Sequence, residues 1–173
     1  MTAEQLKVRD AAAAGRRGVA PAPLLVWLAS PEFADRAQRL GEFVRYDTTL
    51  PPRLSELAIL VVARHWTSQY EWAVHKREAI KAGLAPDVID AIARRRSPES
   101  LLDDERAVFA FATVLTESHR VPDAIYRAAV TATSERGVVE LVGILGYYSL
   151  ISMTINAFEI EVPEELKGER LPN

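Results

Sequence analysis

From Leu141 to Phe158 the chain runs for 18 residues without a charged side chain, and this stretch limits the possible folds more than any other. A segment of that length can span a bilayer. Here it carries Gly143, Gly146, Ser149, Ser152, Thr154, Asn156 and two mid-segment tyrosines. Glu140 and Glu159 bracket it, and no Lys or Arg flanks it closely. These features favour a helix buried nearly all round, inside a domain or at a subunit interface, over a membrane span. The Gly143-x-x-Gly146 spacing reads as a place where a neighbouring helix packs closely.

The rest of the chain also reads as helix. Pro21 and Pro23 precede a short apolar helix, Leu24–Ala29. Ser30 is placed to cap the next one, with Pro31 at its first position and Phe33, Ala37, Leu40 and Val44 sharing a face. Pro51-Pro52 opens a helix over Arg53–Arg64 whose run Leu57–Ala63 is apolar all round, so it should be central. His65-Trp66-Thr67 breaks it, and Ser68 starts a helix that ends near Gly83. Pro86 begins a shorter helix, Asp103 is placed to cap another, and Pro122 begins the next. Ser134 or Glu135 then introduces the last helix, about Gly137 to Phe158. No alternating apolar run lies between hairpin turns. The sequence therefore predicts an all-α, single-domain helical bundle of about eight helices. Residues 1–20 read as an N-terminal segment with some mobility, 21–162 as the helical domain and 163–173 as a polar tail.

Composition removes several functions. There is no cysteine, so disulfides, thiolate nucleophiles and thiolate metal ligands are excluded. Lys+Arg 21 against Asp+Glu 24 gives a net charge of -3, with no reason to expect nucleic acid or an anionic membrane as partner. The first residues, MTAEQLKVRDAAAAGRRG, are charged throughout and lack an apolar core, so a cytoplasmic protein is the expectation. Three histidines and no H-E-x-x-H pattern argue against a zinc site, and no glycine-rich phosphate loop is present, so neither metal nor cofactor is expected.

The stretch from Arg53 to His75 carries the chemistry. Glu71 and His75 are four apart and share a helix face. Ser68 lies one turn earlier, and Glu56 comes from the preceding helix, which must fold back across a short break. Two carboxylates around an imidazole can move a proton, since a neutral histidine titrates near pH 6.5. Trp66, Tyr70 and Trp72 are candidates to wall a pocket, and Arg53 and Arg64 to pair with an anionic substrate. Plainer readings stand beside this one. Ser68-Gln-Tyr-Glu71 is also a capping box, Glu71 and His75 also read as a surface ion pair, and both tryptophans fit a core.

The span Glu56 to His75, followed by Ala79–Gly83-Leu, resembles the carboxymuconolactone decarboxylase and alkylhydroperoxidase D superfamily. The later Val139-Glu-Leu-Val-Gly-Ile-Leu-Gly-Tyr-Tyr-Ser…Asn156-Ala-Phe segment is similar to the last helix of its cofactor-independent members. The peroxidase branch uses a Glu, a Cys-x-x-Cys pair and a His. In the implied register the two cysteine positions fall on Ser68 and Glu71, so thiol peroxidase chemistry should fail in this chain. The decarboxylase branch resembles Glu71-Trp-Ala-Val-His75. That likeness implies His75 as general acid/base, with Glu71 and Glu56 as its partners and an arginine on the substrate carboxylate. It implies a lyase or isomerase without cofactor, of the kind found in aromatic compound degradation, acting on a small anionic unsaturated or lactone substrate. It also implies a homo-oligomer, commonly a trimer or hexamer. The alternatives are a peroxidase-like member that has lost its cysteine pair, and a non-enzymatic oligomeric binding protein.

Overall fold

Prolines open most of the helices, because a residue without an N–H costs nothing in a first turn. In the computed structural model, which describes residues 1–172, the order is α1 (Ala3–Ala14), α2 (Ala22–Trp27), α3 (Pro31–Tyr46), α4 (Pro52–His65), α5 (Gln69–Lys81), α6 (Pro86–Ala93), α7 (Asp103–Ser118) and α8 (Asp123–Ala157), then a 3₁₀ turn at Glu164–Glu169. Pro31, Pro52 and Pro86 each stand at a first helical position. No strand occurs among the described residues, and the expected all-α architecture is what forms.

The helix over the apolar run is central, as its sequence demands. Ten consecutive residues of α4, Leu54 to Ala63, are buried, and the helix packs against α5, α6, α7 and α8. α3 packs against α8, α1 and α2, and α2 also reaches α8, where Trp27 Nε1 donates to Thr154 at 2.9 Å. The most apolar 18-residue window of α8 is 61% buried within this packing. α8 is interrupted at Ser134, which has non-helical backbone angles (φ 78°, ψ 168°) and whose Oγ accepts from the Gly137 amide at 3.2 Å. The sequence break at Ser134 is therefore a kink with a fresh cap inside one long element.

Several local expectations change. The N-terminal segment expected to be mobile forms α1, opened by a Thr2/Gln5 capping box and buried through Val8 and Ala12. Gln5 Nε2 also donates to the Leu28 carbonyl at 2.9 Å. Ser30 makes no side-chain cap. Asp103 lies inside α7, whose N-cap is Leu102, with Glu105 accepting from the Leu102 amide at 2.9 Å. On α3 the buried face is Ala34, Ala37, Gly41 and Val44, while Phe33 and Leu40 are exposed. Small residues face inward there because α3 lies close against its neighbours.

The glycine that permits close packing is Gly41, not the Gly143/Gly146 pair. A Cβ at Gly146 would meet nothing within 4 Å, and one at Gly143 would make only ordinary contact with Val44 at 3.7 Å. A Cβ at Gly41 would overlap the Tyr147 hydroxyl and come within 3.0 Å of Arg17 Nη2. Gly41→Ala is therefore expected to destabilise the protein by about 1–3 kcal/mol, despite the better helix propensity of alanine. The urea midpoint measures this, and an unchanged or raised midpoint would contradict the close approach.

Candidate functional site

A tight reversal between α4 and α5 builds the site. Trp66 ends α4 and Thr67 takes left-handed backbone (φ 50°). The Thr67 amide donates to the Arg64 carbonyl at 3.1 Å and the Ser68 amide to the Ala63 carbonyl at 2.9 Å. This is a Schellman closure with threonine in the usual glycine position. The same closure ends α5, where Gly83 has φ 90° and its amide donates to Ile80 O at 3.1 Å. Glu56 and His75 lie at similar distances from the reversal on opposite arms, so an antiparallel pair of helices sets them at one level.

His75 is held from both sides. Its Nδ1 is 2.6 Å from Glu56 Oε2 and its Nε2 is 3.0 Å from Glu71 Oε1. Relative exposures of 9%, 5% and 1% for Glu56, Glu71 and His75 remove all three from bulk water. A surface ion pair between Glu71 and His75 is thereby ruled out. Burial alone would lower the histidine pKa, but the charges of Glu56 and then Glu71, and hydrogen bonding to both, outweigh it and raise it from 6.5 to about 9. The ring is thus an imidazolium at neutral pH, where the sequence alone suggested a half-titrated base. The edge of the Tyr148 ring packs against it, with centroids 4.9 Å apart.

The cluster opens on a cavity of about 250 Å³. Tyr70, Glu71, Val74 and His75 of α5 line one side, and Tyr147, Tyr148 and Ile151 of α8 the other. Arg45 and Tyr46 close it from the end of α3, and Arg17, Val19, Pro21 and Pro23 from the α1–α2 connection and the start of α2. A larger groove of about 920 Å³ runs past Trp66, Asn156, Glu159 and Arg170, but it is open to solvent and holds none of the buried acid–base groups.

Of the expected pocket residues only Tyr70 lines the cavity beside Glu71 and His75. Trp72 is buried in the core. Trp66 lies on the outer groove, where its carbonyl accepts from Asn156 Nδ2 at 2.9 Å. Arg53 clamps the start of α4 to the start of α7 through Glu105 and through Asp104 at 2.8 Å. Arg64 bonds Thr67 at 3.1 Å and borders a different surface depression with Arg95 and Arg96. Both arginines expected to hold substrate are thus committed elsewhere. Ser68 is fully buried, makes no cap hydrogen bond, and leaves Oγ unpartnered, so the capping-box explanation of Ser68 and Glu71 fails.

The sequence reading missed Arg17, Arg45 and Tyr148. Local spacing holds no sign of the two arginines. The adjacent tyrosines inside the uncharged stretch were a usable signal, because a buried phenol needs a polar neighbour.

Residues 31–114 match the model of the Carboxymuconolactone decarboxylase family. The chain carries a carboxymuconolactone decarboxylase family region. It is a cysteine-free one, and Glu56, Ser68, Glu71, His75 and Arg45 all fall inside it. No curated protein sequence matches the chain. Among solved structures it is similar to an uncharacterized peroxidase-related protein from Silicibacter sp. TM1040, with TM-score 0.77, 15% identity, and 97% and 89% of the two chains covered. It is similar to the debrominase Bmp8, solved apo and with 2,3,4-tribromopyrrole, at TM-score 0.73, 14% identity and coverage of 96% and 88%. It is also similar to a protein of unknown function from Agrobacterium tumefaciens, described provisionally as the antioxidant defence protein AhpD, at TM-score 0.70, 20% identity and coverage of 80% and 95%. At these identities the likeness shows a shared fold.

Two measurements follow from the site's geometry. Ser68→Ala is expected to leave stability unchanged or slightly raised, because it deletes a buried hydroxyl that has no partner. A loss of about 1 kcal/mol in urea unfolding would restore the cap. Stability should also depend on alkaline pH. The His75 pKa is raised on folding, so its contribution is complete below pH 6.5 and lost as pH rises through about 9, a change on the order of 3 kcal/mol. Urea midpoints across this range should fall for the native protein and stay flatter for His75→Gln; equal slopes would contradict the raised pKa.

Proposed function

We propose that this protein is an acid–base enzyme of the lyase or isomerase class, acting on a small anionic substrate that is unsaturated or a lactone. The observation that carries the reading is a buried imidazolium between two carboxylates at the wall of a cavity of about 250 Å³. Burying three ionisable groups together costs desolvation energy, and clusters that bear this cost gather at functional sites. The family region found at residues 31–114 supports the same direction.

His75 is the proton reservoir and Glu71, which lines the cavity 3.0 Å from Nε2, is the group that passes the proton on. Glu56, on Nδ1, fixes the ring and stabilises its charge. In a decarboxylation the carbon–carbon bond to the carboxylate breaks and its electron pair moves into a conjugated carbonyl. Carbon dioxide leaves, and the resulting dienolate takes the proton at carbon. In an isomerisation the same pair removes and returns a proton. With no sulfur nucleophile, the thiol route of the peroxidase branch is closed to this chain. Val139, Val142 and Met153 leave exposed apolar surface on α8, which supports a homo-oligomer as the working form.

A panel of small lactone carboxylates and conjugated acids, followed by ultraviolet absorbance and carbon dioxide release, tests the proposal. His75→Gln and Glu71→Gln are each expected to lower kcat by about 100-fold or more with the helical circular dichroism intact. The native rate should fall as pH rises through about 9, as the acid loses its proton. No turnover of any panel member, or full turnover by His75→Gln, would overturn it.

A further inference from the structure

Within the cavity the uncommitted donors outnumber what the catalytic cluster needs. Arg17 and Arg45 make no ion pair with a carboxylate among the described residues, although both are half-buried. Arg17 Nε is buried without a hydrogen-bond partner, and so is the Tyr148 hydroxyl, on a side chain only 2% exposed. Buried donors in native proteins are nearly always satisfied, so orphans that gather at one cavity mark a missing acceptor.

How Arg17 comes to be there is visible in its neighbours. Arg16 turns outward and docks the α1–α2 connection on α3, with Nη1 2.9 Å from Asp47 and 3.2 Å from the Tyr46 carbonyl. The Arg16 amide also donates to Glu42 at 3.4 Å. Arg16 and Arg17 are the central residues of a turn closed by the Gly18 amide donating to the Gly15 carbonyl at 3.0 Å, and Arg17 lines the cavity. There Tyr147 meets it, at the close approach that Gly41 allows. Glu78, one turn beyond His75 along α5, acts electrostatically on both Arg45 and His75. What gathers at the cavity is a set of donors, the Arg17 and Arg45 guanidiniums and the Tyr148 hydroxyl, that suits one carboxylate group.

We infer that the cavity holds a single carboxylate group, gripped by Arg45 and Arg17 with the Tyr148 hydroxyl as third donor, and that the segment before the family region, through Arg17, confers this preference. The inference rests on the acid–base reading of the same site and names its substrate as a monocarboxylate with a flat, uncharged body. A cavity of about 250 Å³ admits a body the size of one ring. Arg17 lies before the matched region, which spans residues 31–114.

Calorimetric titration with benzoate and sorbate, each compared with its primary amide, decides it. The acids are expected to bind about tenfold or more tighter than their amides. Arg45→Gln and Arg17→Gln should each remove about that preference, and Tyr148→Phe should weaken acid binding while keeping or raising the melting temperature, since it deletes an unsatisfied hydroxyl. Equal binding of acid and amide, no binding of either acid up to about 10 mM, or unchanged acid binding by both arginine variants would overturn the inference. Turnover assays beside the titration separate the two proposals. Acid preference in a native protein that turns over no panel member, or in a His75→Gln protein with full turnover, leaves the anion site standing while the catalytic reading falls.

Discussion

A carboxylate in the middle of a buried helix has to be answered by a positive charge, and the structure is arranged around that requirement. Glu56 lies within ten buried residues of α4, where an unpaired charge would cost several kcal/mol. Its partner does not come from α4, where Arg53, one turn away, is taken by Asp104 and Glu105. It comes from α5, folded back by the Thr67 closure. His75 then needs its own second partner, and Glu71 on the same helix face supplies it. The hairpin, the reversal and the buried triad are thus one solution to one electrostatic problem.

That solution determines the chemistry available. A histidine with one carboxylate neighbour usually titrates near neutrality. Here burial works against the charged form, but two carboxylates outweigh it and raise the pKa to about 9. The register suggested by the family resemblance places Ser68 and Glu71 where the peroxidase branch has its cysteines. Replacing the second sulfur with a carboxylate does more than remove a nucleophile. It adds the negative charge that makes the imidazole an acid. Ser68, at the first of these positions, is buried with its hydroxyl unpartnered.

What was legible in the sequence was what depends on near neighbours. Proline and glycine punctuation marked the helices, because fixed φ and left-handed φ act on one or two residues at a time. The Glu56, Glu71 and His75 cluster was legible for the same reason, since one helix face and one short reversal join them. Arg53 and Arg64 were plausible anion holders by proximity in sequence, yet each faces away, one to Asp104 and Glu105 and one to Thr67. Arg17, Arg45 and Tyr148 meet only because α1, α3 and α8 converge, and no periodicity within any single segment reports that convergence. Phe33 and Leu40 misled in the opposite sense: a strong apolar face on α3 is largely outside, and its small residues are inside.

The division between the family region and what precedes it also divides two tasks. Residues 31–114 hold the buried acid–base cluster, whose geometry follows from helix packing and tolerates little change. The α1–α2 connection is docked on α3 by Arg16. If Arg17 binds an anion as proposed, that residue sits outside the segment that carries Glu56, Glu71 and His75. That role also explains why a short N-terminal helix of weak amphipathic character is held in place at all. α1 contributes little core of its own, through Val8 and Ala12, but by lying against α3 it fixes the path of the chain that carries Arg17 over the cavity.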